Sequence, residues 1–227
     1  GNMTINERVD FKKLKEAINI FVHSNDCFNI RIIVDNNIPK QYFCEFGTLD
    51  FEILNIDSKE DILSIEKQMV SQTFNIIDSP LFAFKLFKFP NGHGGLVMNI
   101  HHIISDAATI AIISTGIAKT YSNLIKNKNI DIETYSYIDY MNSEKKYLTS
   151  DKFKKDEQYW NDKFNTIPDV ASLPSSLKIT KNTYNSDSKR ISFILPKNIV
   201  DDIRDLCSKE KISVYNLFMS VYSLYIG

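Results

Sequence analysis

Apolar residues recur at helical spacing in three stretches of the first half of the chain. The first stripe follows Asp10, which can cap a helix, and consists of Phe11, Leu14, Ile18, Phe21 and Val22. The second follows Ser58 and Asp61, which have the spacing of a capping box, and consists of Ile62, Ile65 and Met69. The third follows Asp106 and consists of Ile110, Ile113, Ile117, Tyr121 and Leu124. Each stripe predicts a helix that packs one face against a core.

The second half of the chain predicts four more helices. Residues 135–148 and 151–164 predict two of them, and the second is expected to bury Phe153, Trp160 and Phe164. Pro196 is expected at the first position of a helix whose apolar stripe is Ile199, Ile203 and Leu206. Ser213 is expected to cap the last helix, residues 214–226. That helix is apolar nearly all round, which is typical of a helix inside a larger body, so we expect the chain to be part of a larger protein.

Apolar and alternating runs predict strands between these helices. The predicted strands are residues 3–9, 28–34, 41–46, 51–56, 82–89, 96–101 and 190–195. Polar residues at 35–37 and glycines within 90–95 predict the turns of two hairpins. Residues 168–188 are rich in Ser, Asn, Pro and Lys without periodicity, and they form the predicted linker. The mixture of hairpins and helices predicts an α/β or α+β fold with a mixed sheet.

The composition narrows the classes of function. The 227 residues are 43% hydrophobic and 24% charged with a net charge of −1, so the chain has no overall field that would attract nucleic acid or an anionic membrane. Cys27, Cys44 and Cys207 lack the spacing of a zinc site or a disulfide framework, which favours a reducing cytoplasm. Cys27 and Cys44 have no basic neighbour in sequence, so we expect both to be buried, inert thiols. No apolar run is long enough to span a bilayer.

Two of the four histidines stand side by side where a predicted strand ends. His101 and His102 follow an apolar run, and Asp106 precedes the next predicted helix. A neutral imidazole at a strand end can accept a proton from a hydroxyl or an amine near pH 7. If the strand continues through both histidines, their side chains point to opposite faces, so only one of them can face a given cavity. The pattern alone also fits a surface loop with two incidental histidines.

Three roles are open for the aspartate of this junction. The carboxylate of Asp106 can cap the following helix, or it can pair with an arginine and hold the loop. It can also orient His102 directly, as the aspartate does in a Ser-His-Asp arrangement. The residues between His102 and Asp106 form a short loop whose course the sequence does not define, so all three roles stay open.

A series of short motifs accompanies the histidine pair. Residues 101–107 read His-His-Ile-Ile-Ser-Asp-Ala, residues 74–81 read Phe-Asn-Ile-Ile-Asp-Ser-Pro-Leu, and residues 137–140 read Tyr-Ile-Asp-Tyr. Tyr-Trp at 159–160 is followed by Leu-Pro at 173–174. In this order the segments resemble the condensation domains of nonribosomal peptide synthetases, within the chloramphenicol-acetyltransferase-like superfamily. They match the family's HHxxxDG, Phe-Asp-Leu…Pro-Leu, YxDY and Tyr-Trp…Leu-Pro motifs, and the resemblance covers nearly the whole chain.

The chain departs from the family's pattern at several positions. Ala107 replaces the glycine of HHxxxDG and is expected to alter the backbone at the helix start. Asn25 and the residue after it stand where the family often has His-Glu, and Asn29 stands where it often has an arginine paired with the motif aspartate. Asp106 is therefore expected to use Arg31 or another partner.

The resemblance implies an α/β (α+β) two-layer sandwich, a chloramphenicol-acetyltransferase-like lobe with a mixed, largely antiparallel sheet flanked by helices. Residues 1–178 would be the N-terminal lobe without its first strand region. Residues 179–227 would be the crossover linker with the first strand and helices of a truncated C-terminal lobe. Because the family closes its tunnel with the second lobe, we expect the 227 residues alone to be inactive.

The implied activity is amide-bond formation between a donor acyl or peptidyl thioester and an acceptor aminoacyl thioester. The resemblance implies His102 as the catalytic residue, with His101, Asp106, Ala107 and Arg31 supporting the active site. The lobe would bind no metal or cofactor of its own, because the phosphopantetheine arms belong to partner carrier proteins. The C-terminal lobe and an adjacent adenylation domain are further implied partners, and nucleic acid and membrane are not. The alternatives are a freestanding coenzyme A-dependent O- or N-acyltransferase, an epimerisation-type relative and a non-catalytic docking module.

Overall fold

The structure is a computed structural model that describes residues 1–132, 134–167 and 191–226. The chain divides into two compact units, Gly1–Phe153 and Lys154–Gly227. The predicted linker and the lobe boundary predicted after residue 178 lie outside the described residues, so both stay predictions. In the described part of the chain, no helix is both long and apolar enough to cross a membrane.

The first unit combines short strands with helices of three to five turns. Its strands are β1 Asn2–Ile5, β2 Ile30–Asp35, β3 Ile38–Phe43, β4 Ile53–Asn55, β5 Phe82–Lys88 and β6 Gly94–Ile100. Its helices are α1 Phe11–His23, α2 Lys59–Ser71, α3 Ala107–Ile125 and α4 Tyr137–Leu148, with a short 3-10 helix at Asp26–Asn29. Helix α5, Asp151–Lys163, crosses the boundary between the units. The second unit contains α6 Lys197–Lys209 and α7 Val214–Ile226.

A four-stranded sheet with the order β1-β6-β5-β4 forms the centre of the first unit. Strand β6 pairs antiparallel with both β1 and β5, and β4 pairs parallel with β5. Strands β2 and β3 form a separate antiparallel hairpin. This mixed and largely antiparallel arrangement, with helices packed on it, confirms the predicted fold class.

The two faces of the sheet carry separate hydrophobic clusters, because successive strand residues point to opposite sides. On one face, α1 and α3 pack against Phe84, Leu86, Leu96 and Met98. On the other face, α2 packs against Phe87 and Val97 through Ile62, Ile65 and Met69. Strand β6 therefore lies between two cores, which fixes its register strongly.

The predicted helix starts are largely confirmed. The Asp10 carboxylate accepts a hydrogen bond from the Lys13 backbone N–H at 3.1 Å, which caps α1. The Ser58 backbone N–H donates to Asp61 Oδ2 at 2.9 Å in the predicted capping box of α2. The Ser213 hydroxyl accepts from the backbone N–H three residues later, which caps α7. Pro196 is the residue immediately before α6 and not its first helical residue, a difference of one position.

The first hairpin is shifted from its predicted position. Phe28 lies in the 3-10 helix, so β2 begins two residues later than expected, at Ile30. Strand β3 begins at Ile38 and not at residue 41, because the turn consists of Asn36 and Asn37 alone. Both asparagines have positive φ angles, 50° and 63°, as two-residue hairpin turns require.

Two predictions for the later part of the chain are wrong. Residues 191–195 form no strand, because an extended segment needs a paired backbone and the described part of the second unit contains only helices beside it. Trp160 and Phe164 are not buried: they are 54% and 49% exposed, and their rings stack on each other at 5.7 Å. Helical spacing identified their common face, but it carries no information about what covers that face.

Gly95 allows close approach of β1 and β6, and we expect Gly95→Ala to destabilise the fold. A Cβ atom at Gly95 would lie 1.9 Å from the Met3 carbonyl oxygen, whereas a Cβ at Gly47 would meet nothing within 4 Å. Overpacking of this kind costs about 1–3 kcal/mol, so urea unfolding should show that loss for Gly95→Ala. Gly47→Ala is the matched control, and equal stability of the two variants would contradict the β1–β6 pairing.

Candidate active site

Strand β6 ends at Ile100, and the chain turns directly after it. The His101 backbone N–H donates to the Leu81 carbonyl at 2.8 Å, which adds one hydrogen bond beyond the last paired residues of β5 and β6. His102 already lies in the loop that follows. The strand therefore does not continue through both histidines, so strand alternation does not decide where their side chains point. Hydrogen bonds of the loop hold each ring instead.

His101 organises this loop. Its Nδ1 accepts a hydrogen bond from the Ile103 backbone N–H at 3.0 Å. Its carbonyl oxygen accepts from the Ile104 backbone N–H and from the Ser105 hydroxyl, both at 3.1 Å. Since an N–H donor faces Nδ1, the neutral ring carries its proton on Nε2. His101 is half-buried, and all of its hydrogen bonds hold backbone or loop atoms in place.

His102 is exposed and is held through one ring nitrogen. Its Nδ1 lies 3.1 Å from the Ser105 carbonyl oxygen. A carbonyl oxygen can only accept, so Nδ1 donates and the neutral ring has its lone pair on Nε2. Within the described residues Nε2 has no hydrogen-bond partner, and no cluster of His, Cys, Asp and Glu is suited to a metal ion. The oriented ring can therefore accept a proton at Nε2.

Asp106 caps α3. Its Oδ1 accepts hydrogen bonds from the Thr109 backbone N–H at 2.8 Å and from the Thr109 hydroxyl at 2.7 Å. The Thr109 hydroxyl in turn accepts from the Asp106 backbone N–H at 3.1 Å. The hydroxyl of Thr109, followed by its backbone N–H, lowers the pKa of the Asp106 carboxyl from its ordinary value. Of the three roles open from the sequence, the structure contains the cap, and Ser105 instead of Asp106 orients His102.

Arg31 is buried on β2 and does not pair with Asp106. One guanidinium nitrogen donates to the carbonyl oxygens of Phe28 at 3.0 Å and Ile30 at 2.8 Å. The neighbouring Asn29, at the position where an arginine was expected from the family pattern, has a buried Oδ1 without a hydrogen-bond partner among the described residues. Neither residue supplies a positive charge to the motif aspartate in this structure.

Ala107 is the first residue of α3, and its side chain is exposed. It is not among the residues with positive φ, so this position does not require glycine for conformational reasons. The expectation that Ala107 alters the backbone at the helix start, relative to the glycine of the family pattern, stays a prediction. Alanine fits the ordinary helical backbone here.

A cavity of about 290 Å³ lies next to the histidine loop. Its lining is mostly apolar and consists of Cys27, Ile30, Ile32, Gln41, Ile103, Ile104 and Tyr137. The backbone N–H of Tyr137 donates to Asp26 Oδ2 at 3.0 Å, which ties the start of α4 to the 3-10 helix. Cys27 is half-buried, and burial raises the pKa of its thiol to about 11, which favours the predicted low reactivity.

Two residues without a role assigned from the sequence also lie at this strand end. The Asn99 side-chain amide donates to the Met69 carbonyl at the end of α2, at 2.8 Å. The Phe74 ring packs edge to face against the His101 ring, with centroids 5.8 Å apart. Strand alternation could have placed Asn99 on the face of Val97, but nothing in the sequence indicated that Phe74 contacts His101.

Comparison with known proteins gives consistent matches. A family model described as Condensation domain matches residues 2–227. The chain is 28% identical, over 100% of its length, to part of Surfactin synthase subunit 1 from Bacillus subtilis (strain 168), and it covers 6% of that protein. The chain thus spans only a small part of this curated relative.

Solved structures share the fold. VibH, described as an NRPS condensation enzyme, superposes with a TM-score of 0.76 over 96% of this chain and 50% of VibH, at 19% identity. The starter condensation domain of rhizomide synthetase RzmA superposes with a TM-score of 0.68 over 74% of this chain and 42% of that chain, at 18% identity. The chain therefore spans about half of each solved relative, and these likenesses confirm the fold class.

The cap of α3 is expected to make stability depend on pH. Asp106→Ala removes the carboxylate, so we expect a lower melting temperature at pH 7. Because the folded-state pKa of Asp106 lies below the unfolded value of about 4, the carboxylate stabilises the fold above about pH 4 and loses its effect as the pH falls through the folded-state pKa. The difference in melting temperature between wild type and Asp106→Ala should then shrink. Asp106→Asn keeps an acceptor as a control, and a difference that persists unchanged in acid would contradict the cap.

The thiol of Cys27 is expected to resist alkylation in the folded protein. With a pKa of about 11, roughly one thiol in a thousand is ionised at about pH 8, and the thiolate is the reactive form. Iodoacetamide should therefore modify Cys27 slowly in buffer and rapidly in denaturant, as measured by peptide mass spectrometry. Equal rates in the folded and unfolded protein would show that the thiol is not buried.

Proposed function

The chain belongs to the condensation domain family, and on that premise we propose that it contributes the catalytic histidine for amide-bond formation. The substrates would be a donor acyl or peptidyl thioester and an acceptor aminoacyl thioester. Both would be attached through phosphopantetheine arms to carrier proteins. The name of the matched family supports this reaction class, and the arrangement of the histidine loop supports the assignment of roles.

The proposed step is an aminolysis of the donor thioester. The acceptor amine attacks the carbonyl carbon, so that a C–N bond forms and the C–S bond breaks. The amine loses a proton, and the departing sulfur of the donor arm gains one, so the products are an amide and a free thiol. His102 Nε2 would accept the amine proton or hold the amine in line for attack, and both contributions accelerate such reactions.

One observation carries the proposal. His102 is exposed directly after β6, and its Nδ1 is committed to the Ser105 carbonyl. The ring is therefore oriented and has its basic nitrogen available, which are the two properties that a general base needs. In contrast, His101 is engaged at Nδ1 by the Ile103 backbone N–H and packs against Phe74, which favours a structural role.

The supporting residues would act on the loop and not on the substrate. Asp106 would fix the start of α3 through its cap, and Ala107 would continue the helix without strain. Arg31 would support the site at a distance, by holding the carbonyl groups of the 3-10 helix and β2. His101 would close the turn between β6 and the loop.

The proposal includes partners beyond these 227 residues. Residues 1–178 would be the N-terminal lobe, and residues 179–227 would be the linker with the start of the C-terminal lobe. The rest of that lobe, the two carrier proteins and an adjacent adenylation domain would complete the machinery. Because the rest of the second lobe would supply the other wall of the tunnel, the 227 residues alone should have little activity.

The direct test is His102→Ala in the complete parent protein, with two carrier proteins loaded with donor and acceptor. Loss of a general base or of a positioning contact should lower single-turnover amide formation by about 10²–10⁴-fold. His93→Ala is the matched control, because His93 precedes β6 at the opposite end of the same strand. Product is measured by mass spectrometry of the acceptor carrier protein.

Other outcomes would favour the competing functions. Turnover with an acyl-coenzyme A and a free acceptor would indicate a freestanding acyltransferase. A change of stereochemistry without a new amide bond would indicate an epimerising relative. Equal rates for wild type and His102→Ala would remove the imidazole from the reaction and favour a docking module.

A further inference from the structure

One face of β6 is braced along its length by α2 and the segment that follows it. Val97 packs against Ile62, Ile65 and Met69 of α2. Two residues later, the Asn99 amide donates to the carbonyl oxygen of Met69 in the last turn of the same helix. Alternation places Val97 and Asn99 on one side of the strand, so α2 is attached to β6 by an apolar contact and by a hydrogen bond.

The brace ends at the first histidine. After α2 ends at Ser71, the chain brings the half-buried Phe74 against the His101 ring. The two ring centroids are 5.8 Å apart with an interplanar angle of 79°, the edge-to-face geometry that aromatic pairs prefer. Phe74 therefore restrains the one ring in the loop whose Nδ1 receives a backbone N–H.

Movement of the His101 ring would break the hydrogen bond that its Nδ1 accepts from the loop. The Ile103 backbone N–H needs Nδ1 of His101 in place, and Ile103 directly follows His102. The Ser105 hydroxyl donates to the His101 carbonyl, and the Ser105 carbonyl accepts from His102 Nδ1. The His101 ring and backbone are thus connected to the orientation of His102 by two short chains of hydrogen bonds.

We propose that Phe74 is a positioning residue, which holds the His101 ring and thereby fixes the orientation and the tautomer of His102. This inference rests on the proposed function for its catalytic consequence. The effect of Phe74 on the two histidine rings does not depend on that function, because the tautomers of both histidines can be measured without substrate. Phe74 itself would not touch the reacting groups.

The chain offers a matched control for this contact. Phe89 is also half-buried, and it packs edge to face on Phe87 at 5.7 Å and 77°, nearly the geometry of the Phe74 pair. Phe89 packs against the apolar cluster under α2, and it follows β5 at the strand end away from the histidines. Phe89→Leu therefore removes an equivalent aromatic contact without reaching the loop.

The experiment follows the four imidazoles of the ¹⁵N-histidine-labelled chain by long-range ¹H–¹⁵N NMR. In wild type we expect the proton of His101 on Nε2 and that of His102 on Nδ1. Phe74→Leu keeps apolar bulk but removes the ring, so both histidines should move toward averaged tautomers. Phe74→Tyr keeps the ring and should restore the wild-type signals, and Phe89→Leu should leave both histidines unchanged.

Kinetics of the complete parent protein give the catalytic readout. A displaced base should lower kcat for Phe74→Leu by about 10–100-fold, with KM changed by less than about twofold. Unchanged tautomers in Phe74→Leu, equal changes in Phe89→Leu, or global unfolding of Phe74→Leu alone would each overturn the proposal. Failure of the wild-type parent to form amide bonds would count against the proposed function, and the NMR result would still decide the positioning role.

Discussion

The loop after β6 depends on the hydrogen bonds of His101. The backbone N–H of His101 makes the last hydrogen bond between the β5 and β6 segments. Its carbonyl oxygen accepts hydrogen bonds from the Ile104 N–H and the Ser105 hydroxyl, and its ring accepts one from the Ile103 N–H. Each of these groups would otherwise have to be satisfied by water in a mobile loop. Because the turn is held in this way, the next side chain, His102, projects from a defined position with only one of its nitrogens occupied.

The strand that leads to this loop is itself held from both sides. Leu96 and Met98 lie in the core formed with α1 and α3, while Val97 lies in the core under α2. A slip by one residue would exchange the two sets of side chains, so the register of β6 is strongly specified. The position of the histidine pair at the end of the strand is therefore a consequence of hydrophobic packing. The hydrogen bonds of the loop then determine how the two imidazole rings are oriented.

The sequence predicted the fold better than the site, for physical reasons. Stripes and caps such as Asp10 with α1 are local patterns, so the helices of the first unit and the hairpin of β5 and β6 were predicted nearly residue by residue. The role of Asp106 depended on how a short loop folds, and only the structure distinguished the cap from a pair with Arg31. The contact between Phe74 and His101 joins residues far apart in sequence and has no local signature. The exposure of Trp160 has the same cause, because helical spacing shows which residues share a face but not whether another element packs against that face.

We propose that His102 presents Nε2 to the reacting amine while Ser105 holds Nδ1. The most direct measurement is a crystal structure of the complete condensation domain with an acceptor amine analogue attached to its carrier protein arm. We expect the amine nitrogen within about 2.6–3.2 Å of His102 Nε2, with Nδ1 still hydrogen-bonded to the Ser105 carbonyl. An amine held by another group, or a His102 ring turned so that Nδ1 faces the amine, would contradict it.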